Sequence, residues 1–249
     1  AHGHLGSEGL WAMQERDIAE QIPMAMRRLD AVGIRTMICS GNEALFTDPV
    51  AGNRKLERLA AGHGNRLRGY LVFNPFYADR LTPLLDKFFA RPFFVGFKNL
   101  GDYWNVPITD DRFRPAYQYA NAHRLPILMH TWTGGCDSPG MVKTLAEEYP
   151  DAFWLLGHSG GSDQGRLEAE EMAAAYPNVI MEWCGSFCSR IQWEETLRRV
   201  PVERVVFGTD GVHHDFAWEL GRFLSLDLPD KVLRPILGEN MRRILSMRR

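Results

Sequence analysis

Residues 153–158 read Phe153-Trp154-Leu155-Leu156-Gly157-His158, an apolar run closed by a single histidine. A strand with one face in water would alternate apolar and polar residues, and this run does not alternate. Continuous apolar runs of this length are typical of parallel strands whose two faces are both covered by protein. The stretch therefore predicts a buried strand of an α/β protein, with the histidine at its carboxyl end.

The same pattern recurs along the chain, and each predicted strand is followed by apolar residues at helical spacing. Seven repeats of strand and helix are typical of a parallel α/β fold. The other strands are predicted at Ile34–Cys39, Arg68–Asn74, Phe93–Lys98, Pro126–His130, Val179–Trp183 and Arg204–Asp210. The helices are predicted at Gln14–Val32, Arg54–His63, Asp79–Phe89, Arg112–His123, Gly140–Glu148, Gly165–Tyr176, Ile191–Arg199, Ala217–Leu224 and Lys231–Met247.

A first strand ending at His2–His4 would complete a set of eight, so we expect a (β/α)8 TIM barrel, which typically needs about 250 residues. We expect its first strand to be truncated in the chain as given, because almost nothing precedes His2. The alternative is a doubly wound open sheet, which would need a glycine-rich phosphate loop after its first strand. No such loop is visible, and no linker interrupts the series, so we expect residues 1–249 to form a single domain.

The composition is that of an ordinary globular protein, with 45% hydrophobic and 24% charged residues and a net charge of -2. This charge gives no reason to expect nucleic acid or an anionic membrane as a partner, and no apolar run is long enough to span a bilayer. Four cysteines in 249 residues do not suggest a disulfide framework, and a reducing cytoplasm fits them best. We expect a small-molecule substrate.

Titratable side chains stand directly after the apolar run of four predicted strands. In a parallel barrel these carboxyl ends share one rim, where active sites lie. Each residue also has a structural explanation on its own: a hydrogen-bonded histidine, a carboxylate that caps a turn or a lysine in an ion pair. Their common position favours a site, and His213, close behind the last of them, is expected to bind substrate. The four residues are Lys98, His130, His158 and Asp210.

His2 and His4 are separated by one residue, so in an extended segment their side chains point to the same side. Two imidazoles that converge from one segment suit a divalent metal ion. Two surface histidines near a chain terminus are the alternative explanation. The further donors at other strand ends favour the metal site.

Aromatic residues are concentrated on the strand ends and on the loops that follow them, three of which, 39–53, 99–110 and 131–139, are long. Such residues favour a pocket for a small, flat or ring-containing molecule, although several could simply pack beneath the loops. We expect Trp132 and Trp183 to contact the substrate. The mouth is predicted to include Phe46, Asn74, Pro75, Phe76, Tyr103, Trp104, Trp132, Trp183 and Phe187.

The order of these motifs resembles the amidohydrolase superfamily, and most of all its branch that contains aminocarboxymuconate semialdehyde decarboxylase and many metal-dependent hydrolases. The resemblance covers essentially the whole chain. It departs where Ala1 stands in place of a frequent acidic residue and where Gly-Val-His-His follows the last aspartate. The motifs are His2-x-His4, His130, Gly157-His158-Ser159-Gly160-Gly161, Gly208-Thr209-Asp210 and the tail Ile236–Leu245.

The resemblance implies one divalent metal ion, with zinc as the first choice and manganese as the alternative. It implies Asp210 and His158 as the catalytic residues. Lys98 stands where some members carry a carboxylated lysine that bridges two metals; we expect instead an ammonium that binds a carboxylate of the substrate or of the protein. The implied metal ligands are His2, His4, His130 and Asp210.

Three functions stay open at this point. The first is a metal-dependent hydrolase of a small carboxylated or cyclic compound, such as a lactone, amide or ester, in which the metal lowers the pKa of water to about 7. The second is a non-oxidative decarboxylase of an aromatic or muconate-like acid that uses the same metal and His158. The third is a metal-binding barrel without catalysis. The resemblance also suggests a homodimer.

Overall fold

The fold is a parallel β-barrel, seen in a computed structural model that describes residues 1–6, 17–185 and 190–249. Its eight strands are hydrogen-bonded to one another in chain order, and every pairing is parallel. The strands are β1 (His4–Leu5), β2 (Met37–Gly41), β3 (Leu67–Val72), β4 (Phe94–Asn99), β5 (Pro126–His130), β6 (Phe153–Gly157), β7 (Val179–Trp183) and β8 (Val205–Phe207).

Helices follow the strands and cover the outer face of the barrel. Within the described ranges, none of them is both long and apolar enough to cross a membrane. A π-helical segment, Pro235–Glu239, joins the last two. The helices are α1 (Ile18–Ala31), α2 (Asn42–Phe46), α3 (Pro49–Ala60), α4 (Ala78–Leu81), α5 (Leu85–Phe89), α6 (Gly101–Trp104), α7 (Arg114–His123), α8 (Val142–Glu148), α9 (Asp163–Ala175), α10 (Arg190–Arg199), α11 (Phe216–Leu224), α12 (Asp230–Arg234) and α13 (Asn240–Ser246).

The barrel closes where the first residues of the chain meet the segment after β8. The Asp210 amide donates to the His2 carbonyl oxygen at 3.1 Å, and the His4 amide donates to the Gly211 carbonyl oxygen at 2.5 Å. On its other side β1 pairs with β2, with His4 opposite Ser40. The predicted (β/α)8 barrel is therefore confirmed, and the open sheet is excluded. We call this contact between the two ends of the sheet the seam.

Side chains on the strands alternate between the barrel interior and the layer under the helices. On β7, Ile180 belongs to a buried cluster that takes one residue from each of β2 to β8, whereas Val179 and Met181 pack into the outer core. The two-residue period of a strand then turns Glu182 inward and Trp183 outward. The Glu182 carboxylate thus lies inside the barrel, two residues along β7 from Ile180 of the buried cluster.

The prediction of a long loop at 39–53 is wrong, because α2 and the start of α3 lie in this range. The Asp48 side chain accepts hydrogen bonds from the amides of Val50 and Ala51 and caps α3, whose first residue is Pro49. Proline at the first helical position after an aspartate cap is a helix start, although the same residues also favour turns. Polar and glycine-rich composition alone led to the loop prediction.

Gly52→Ala should lower the free energy of unfolding by about 1–3 kcal/mol through overpacking. Helix propensity alone would favour alanine by about 0.5–1 kcal/mol, but a Cβ at position 52 would lie 2.2 Å from the Ala44 backbone nitrogen. Urea unfolding measures the change. Gly62→Ala is the control, since a Cβ there meets nothing within 4 Å. A Gly52→Ala protein more stable than the wild type would contradict this packing.

Candidate metal centre

Three donor atoms converge at the carboxyl end of the barrel. His2 Nε2 lies 3.1 Å from His4 Nε2, and the Asp210 Oδ1 atom is 3.4 Å from the first and 3.2 Å from the second. Two ligands about 2.0–2.1 Å from a tetrahedral ion lie about 3.3 Å apart. The separations therefore suit a single ion, and the seam produces them, because it places β1 beside the segment that carries Asp210.

The other nitrogen of each imidazole is held by a neighbouring strand. His4 Nδ1 is 3.1 Å from the Ser40 hydroxyl of β2, and His2 Nδ1 is 3.2 Å from Glu182 Oε2 of β7. A histidine that binds metal through one ring nitrogen is usually oriented by a hydrogen bond at the other. These contacts leave both Nε2 atoms facing the centre.

Burial sets the protonation of this group. It lowers the pKa of His2 to about 3, and the nearby Lys98 ammonium acts in the same direction. It also lowers the pKa of His4. Burial would raise the pKa of Asp210, but His2 and the hydrogen bond from His4 outweigh it and hold that pKa well below its ordinary value. Two neutral imidazoles and a carboxylate are a suitable donor set for a divalent cation.

Lys98, at the end of β4, is buried against the same group. Its Nζ lies 2.7 Å from His2 Nε2. Burial lowers the pKa of the lysine, although Asp210 acts in the opposite direction. The sequence analysis expects this side chain to bind a carboxylate of the substrate or of the protein; in the structure it contacts the His2 imidazole, and Asp210 and Glu182 act on its charge.

His130 and His158 lie at the same mouth, with ring centroids 4.9 Å apart. His158 Nδ1 is 3.0 Å from the Cys184 carbonyl oxygen, which can accept a hydrogen bond from it. Among the described residues, His130 is not in the tight group of His2, His4 and Asp210; one of its nitrogens instead lies within 4.8 Å of the carboxylates of Asp102 and Asp137. Three of the four predicted ligands are thus brought together, and the fourth stands beside them.

The predicted substrate-binding residues divide into two groups. His213 lies over His4 with 4.6 Å between ring centroids, and Trp132 stacks on His130 at 6.1 Å. The prediction that Trp183 contacts the substrate is wrong. Its side chain is buried in the outer core and stacks on Trp193, with 4.8 Å between ring centroids. The phase of β7 turns it away from the mouth. Phe187 lies outside the described residues.

A small pocket with a cavity volume of about 40 Å³ opens beside the three donors. Phe46 and Tyr103 form part of its apolar wall, with ring centroids 5.9 Å apart. The lining residues are His4, Leu45, Phe46, Lys98, Leu100, Tyr103, His130, His158, Asp210 and His213.

Glu182 is the site residue that the sequence analysis missed. Its side chain is fully buried and reaches His2 from β7. Burial alone would raise its pKa, but His2 lowers it to about 2, so the side chain is a carboxylate. The signal was present in the sequence, because a charged residue interrupts the run Val179–Trp183 and stands two positions after the inward-facing Ile180.

Glu219 of α11 supports the backbone behind the centre. It is fully buried, accepts a hydrogen bond from the Gly185 amide and pairs with Arg222 at 3.2 Å. Gly185 has a φ of +53°, and a Cβ there would lie 3.3 Å from both Asp210 Oδ2 and His158 Nδ1. The close approach and the positive φ both favour glycine. Burial raises the pKa of Glu219 to about 7 although Arg222 opposes it.

Comparison with known proteins gives one family match and a set of similar folds. The family model described as "Amidohydrolase" matches residues 39–247. No curated protein matches the chain.

Three solved structures illustrate the structural similarity, which at these identities shows the fold alone. A 2,6-dihydroxybenzoate decarboxylase from Rhizobium is 16% identical with a TM-score of 0.72, and the alignment covers 90% of this chain and 88% of that one. A dihydroxybenzoic acid decarboxylase from Polaromonas sp. JS666, with bound manganese and the inhibitor 2-nitroresorcinol, is 16% identical with a TM-score of 0.70 and coverages of 99% and 96%. A 4-oxalomesaconate hydratase from Rhodopseudomonas palustris is 14% identical, with a TM-score of 0.65 and coverages of 92% and 82%.

Glu219→Gln should flatten the pH dependence of stability. Since the pKa of Glu219 rises from 4.5 to about 7 on folding, the folded state holds a proton that the unfolded state has released between those values. The free energy of unfolding therefore falls as pH rises through this window, by up to about 1.4 kcal/mol per pH unit, and levels off above it. Urea unfolding from pH 4.5 to 8 measures the slope. Equal slopes in variant and wild type would contradict the assignment.

Proposed function

The chain belongs to the amidohydrolase family, and we propose that it is a metal-dependent enzyme that decarboxylates a small ring-containing carboxylic acid. The observation that carries this proposal is the group of His2 Nε2, His4 Nε2 and Asp210 Oδ1, separated by 3.1 to 3.4 Å at the edge of an aromatic-walled pocket. Two of the three similar structures reported above are decarboxylases of dihydroxylated benzoic acids, which supports the choice of reaction.

The proposed ligands of a divalent cation are His2, His4 and Asp210, with His130 as a fourth donor from the pocket wall. Neutral imidazoles and a carboxylate suit zinc, which the sequence analysis placed first, and they also suit manganese, which the relative from Polaromonas binds. A cation held here would supply a Lewis acid that polarises a substrate oxygen.

The protein's own residues would bind and orient the acid. Phe46 and Tyr103 offer ring faces to a flat substrate, and Lys98 adds positive charge near the centre. In decarboxylation the bond between ring carbon and carboxylate carbon breaks, carbon dioxide leaves, and the ring carbon takes a proton in its place. His158 is the proposed donor, since it lies at the mouth beside the pocket and the contact of its Nδ1 with the Cys184 carbonyl oxygen orients the ring.

Hydrolysis of a lactone, amide or ester is the second candidate. The observation that favours it is the contact of 3.5 Å between Asp210 Oδ2 and His214 Nε2. Such a pair could take a proton from water at the centre and pass it toward the exposed side of the mouth. In that reaction His158 would donate its proton to the leaving group instead.

His4→Ala and His158→Ala should lose different properties. His4→Ala removes a donor of the central group, so its metal content should fall from about one equivalent to a small fraction of that. His158→Ala should keep the metal and lose turnover by about 10²–10⁴-fold, the usual contribution of a general acid. Elemental analysis and steady-state kinetics measure both. Equal metal retention in the two variants would refute the assignment.

A substrate screen with the metal-loaded protein tests the reaction. Hydroxybenzoates should release carbon dioxide and yield the corresponding phenols. Turnover of lactones or anilides without release of carbon dioxide would replace decarboxylation with hydrolysis. If the protein binds metal and turns over none of these compounds, that result would contradict the proposed enzymatic function. It would favour a metal-binding barrel without catalysis.

A further inference from the structure

We propose that Glu182 is a positioning residue that fixes the ring of His2 so that its Nε2 faces the metal, and that it also holds the turn carrying His158. This inference rests on the proposed function, because it concerns the same centre. The proposal depends on contacts at the two nitrogens of one imidazole.

The contact at Nε2 sets the tautomer of His2. Lys98 Nζ lies 2.7 Å from this atom. When the lysine donates an N–H in this contact, Nε2 is the acceptor. A neutral imidazole carries one proton, which is therefore on Nδ1, and Nδ1 faces Glu182 Oε2 at 3.2 Å. The nitrogen that points at His4 and Asp210 is consequently the one with a lone pair.

Cys184 is the competing partner at Nδ1, with its sulfur at 2.9 Å. That thiol also lies 2.9 Å from Glu182 Oε2, to which it donates its single proton. A thiol sulfur is a weak acceptor, whereas an ionised carboxylate makes the stronger, charge-assisted hydrogen bond. The carboxylate therefore determines the orientation of the ring, and the thiol packs alongside it.

The same carboxylate oxygen reaches the second functional histidine. The His158 amide donates to Glu182 Oε2 at 3.3 Å, and the Ser159 hydroxyl donates to the Glu182 carbonyl oxygen at 3.0 Å. His158 and Ser159 have φ of 64° and 47°, a backbone conformation that such residues rarely adopt without outside support. One residue of β7 thus connects the metal-facing ring to the turn that presents His158.

The neighbouring strand leaves room for this arrangement. A Cβ at Gly208, after β8, would lie 1.7 Å from Glu182 Oε1. Glycine at this position therefore gives the carboxylate its place inside the barrel, and the fully buried side chain has no solvent to turn toward. The orientation of Glu182 is fixed by packing as well as by its hydrogen bonds.

The test compares metal affinity, by competition with a chelator, in wild type and three variants. Glu182→Gln keeps the size of the side chain and removes its charge, so affinity should fall by about 10- to 100-fold. Cys184→Ala should weaken it far less. Glu57→Gln, which alters another buried glutamate that pairs with Arg91, should leave it unchanged. Loss in Cys184→Ala as large as in Glu182→Gln would overturn the role of the carboxylate.

Two measurements on the wild type need no variant that might misfold. Nitrogen-15 NMR of the metal-free protein should show the His2 proton on Nδ1, and a proton on Nε2 would overturn the proposal. Cobalt-loaded protein should lack the near-ultraviolet charge-transfer band of a cobalt–thiolate bond. That band would place the ion beside Cys184, on the Nδ1 side of the ring, which the positioning role excludes.

The two proposals fail in different ways. A wild-type protein that binds no divalent metal refutes the proposed function. A wild type that binds metal, together with a folded Glu182→Gln protein of equal affinity, refutes only the positioning role. If Glu182→Gln does not fold, Glu182→Asp takes its place, because it retains the charge with a shorter reach. Its metal affinity should be lower than that of the wild type. Wild-type affinity in Glu182→Asp would overturn the proposal.

Discussion

The seam between β1 and the segment after β8 is the contact on which the site depends. His2 and Asp210 are 208 positions apart in the chain, yet a single backbone hydrogen bond joins them. Their side chains leave that bond on the same side of the barrel and meet His4 above it. The candidate metal centre therefore depends on closure of the barrel. The strands place the donors at one rim, and the seam brings three of them within contact distance of one another.

Burial gives this group its electrostatic character. Burial lowers the pKa of His2 and His4, whereas the hydrogen bond with His4 and the proximity of His2 hold the pKa of Asp210 below its ordinary value. Buried carboxylates are costly unless a cation or several donors compensate them. In the described residues two basic groups, Lys98 and the Ala1 amino group, act on these carboxylates, and burial disfavours the charged form of both. The imbalance is favourable for a divalent cation, which is the physical basis of the metal proposal.

Much of the site could be predicted from the sequence, because a buried strand reveals its carboxyl end. His158 and Asp210 each follow an apolar run, and the structure places both at the mouth. It was harder to predict which side chains of a strand face the barrel interior. Every residue of Val179–Trp183 but one is apolar, so the aromatic Trp183 was expected to contact the substrate. The residue that faces inward is Glu182. The direction of the His130 side chain is a matter of rotamers, which sequence does not encode locally. α2 and the start of α3 were missed because Asp48 and Pro49 favour both turns and helix starts.

The position of the donors on both sides of the seam has a consequence for how the barrel responds to an ion at the centre. His2 and His4 lie on one side of the seam and Asp210 lies on the other, and backbone hydrogen bonds join the two sides. Local opening is easiest where few backbone bonds must break, and anything that binds only the closed form shifts the balance toward it. An ion bound to donors on both sides of the seam would stabilise the closed barrel. Metal binding and closure of the barrel would then be linked in one equilibrium.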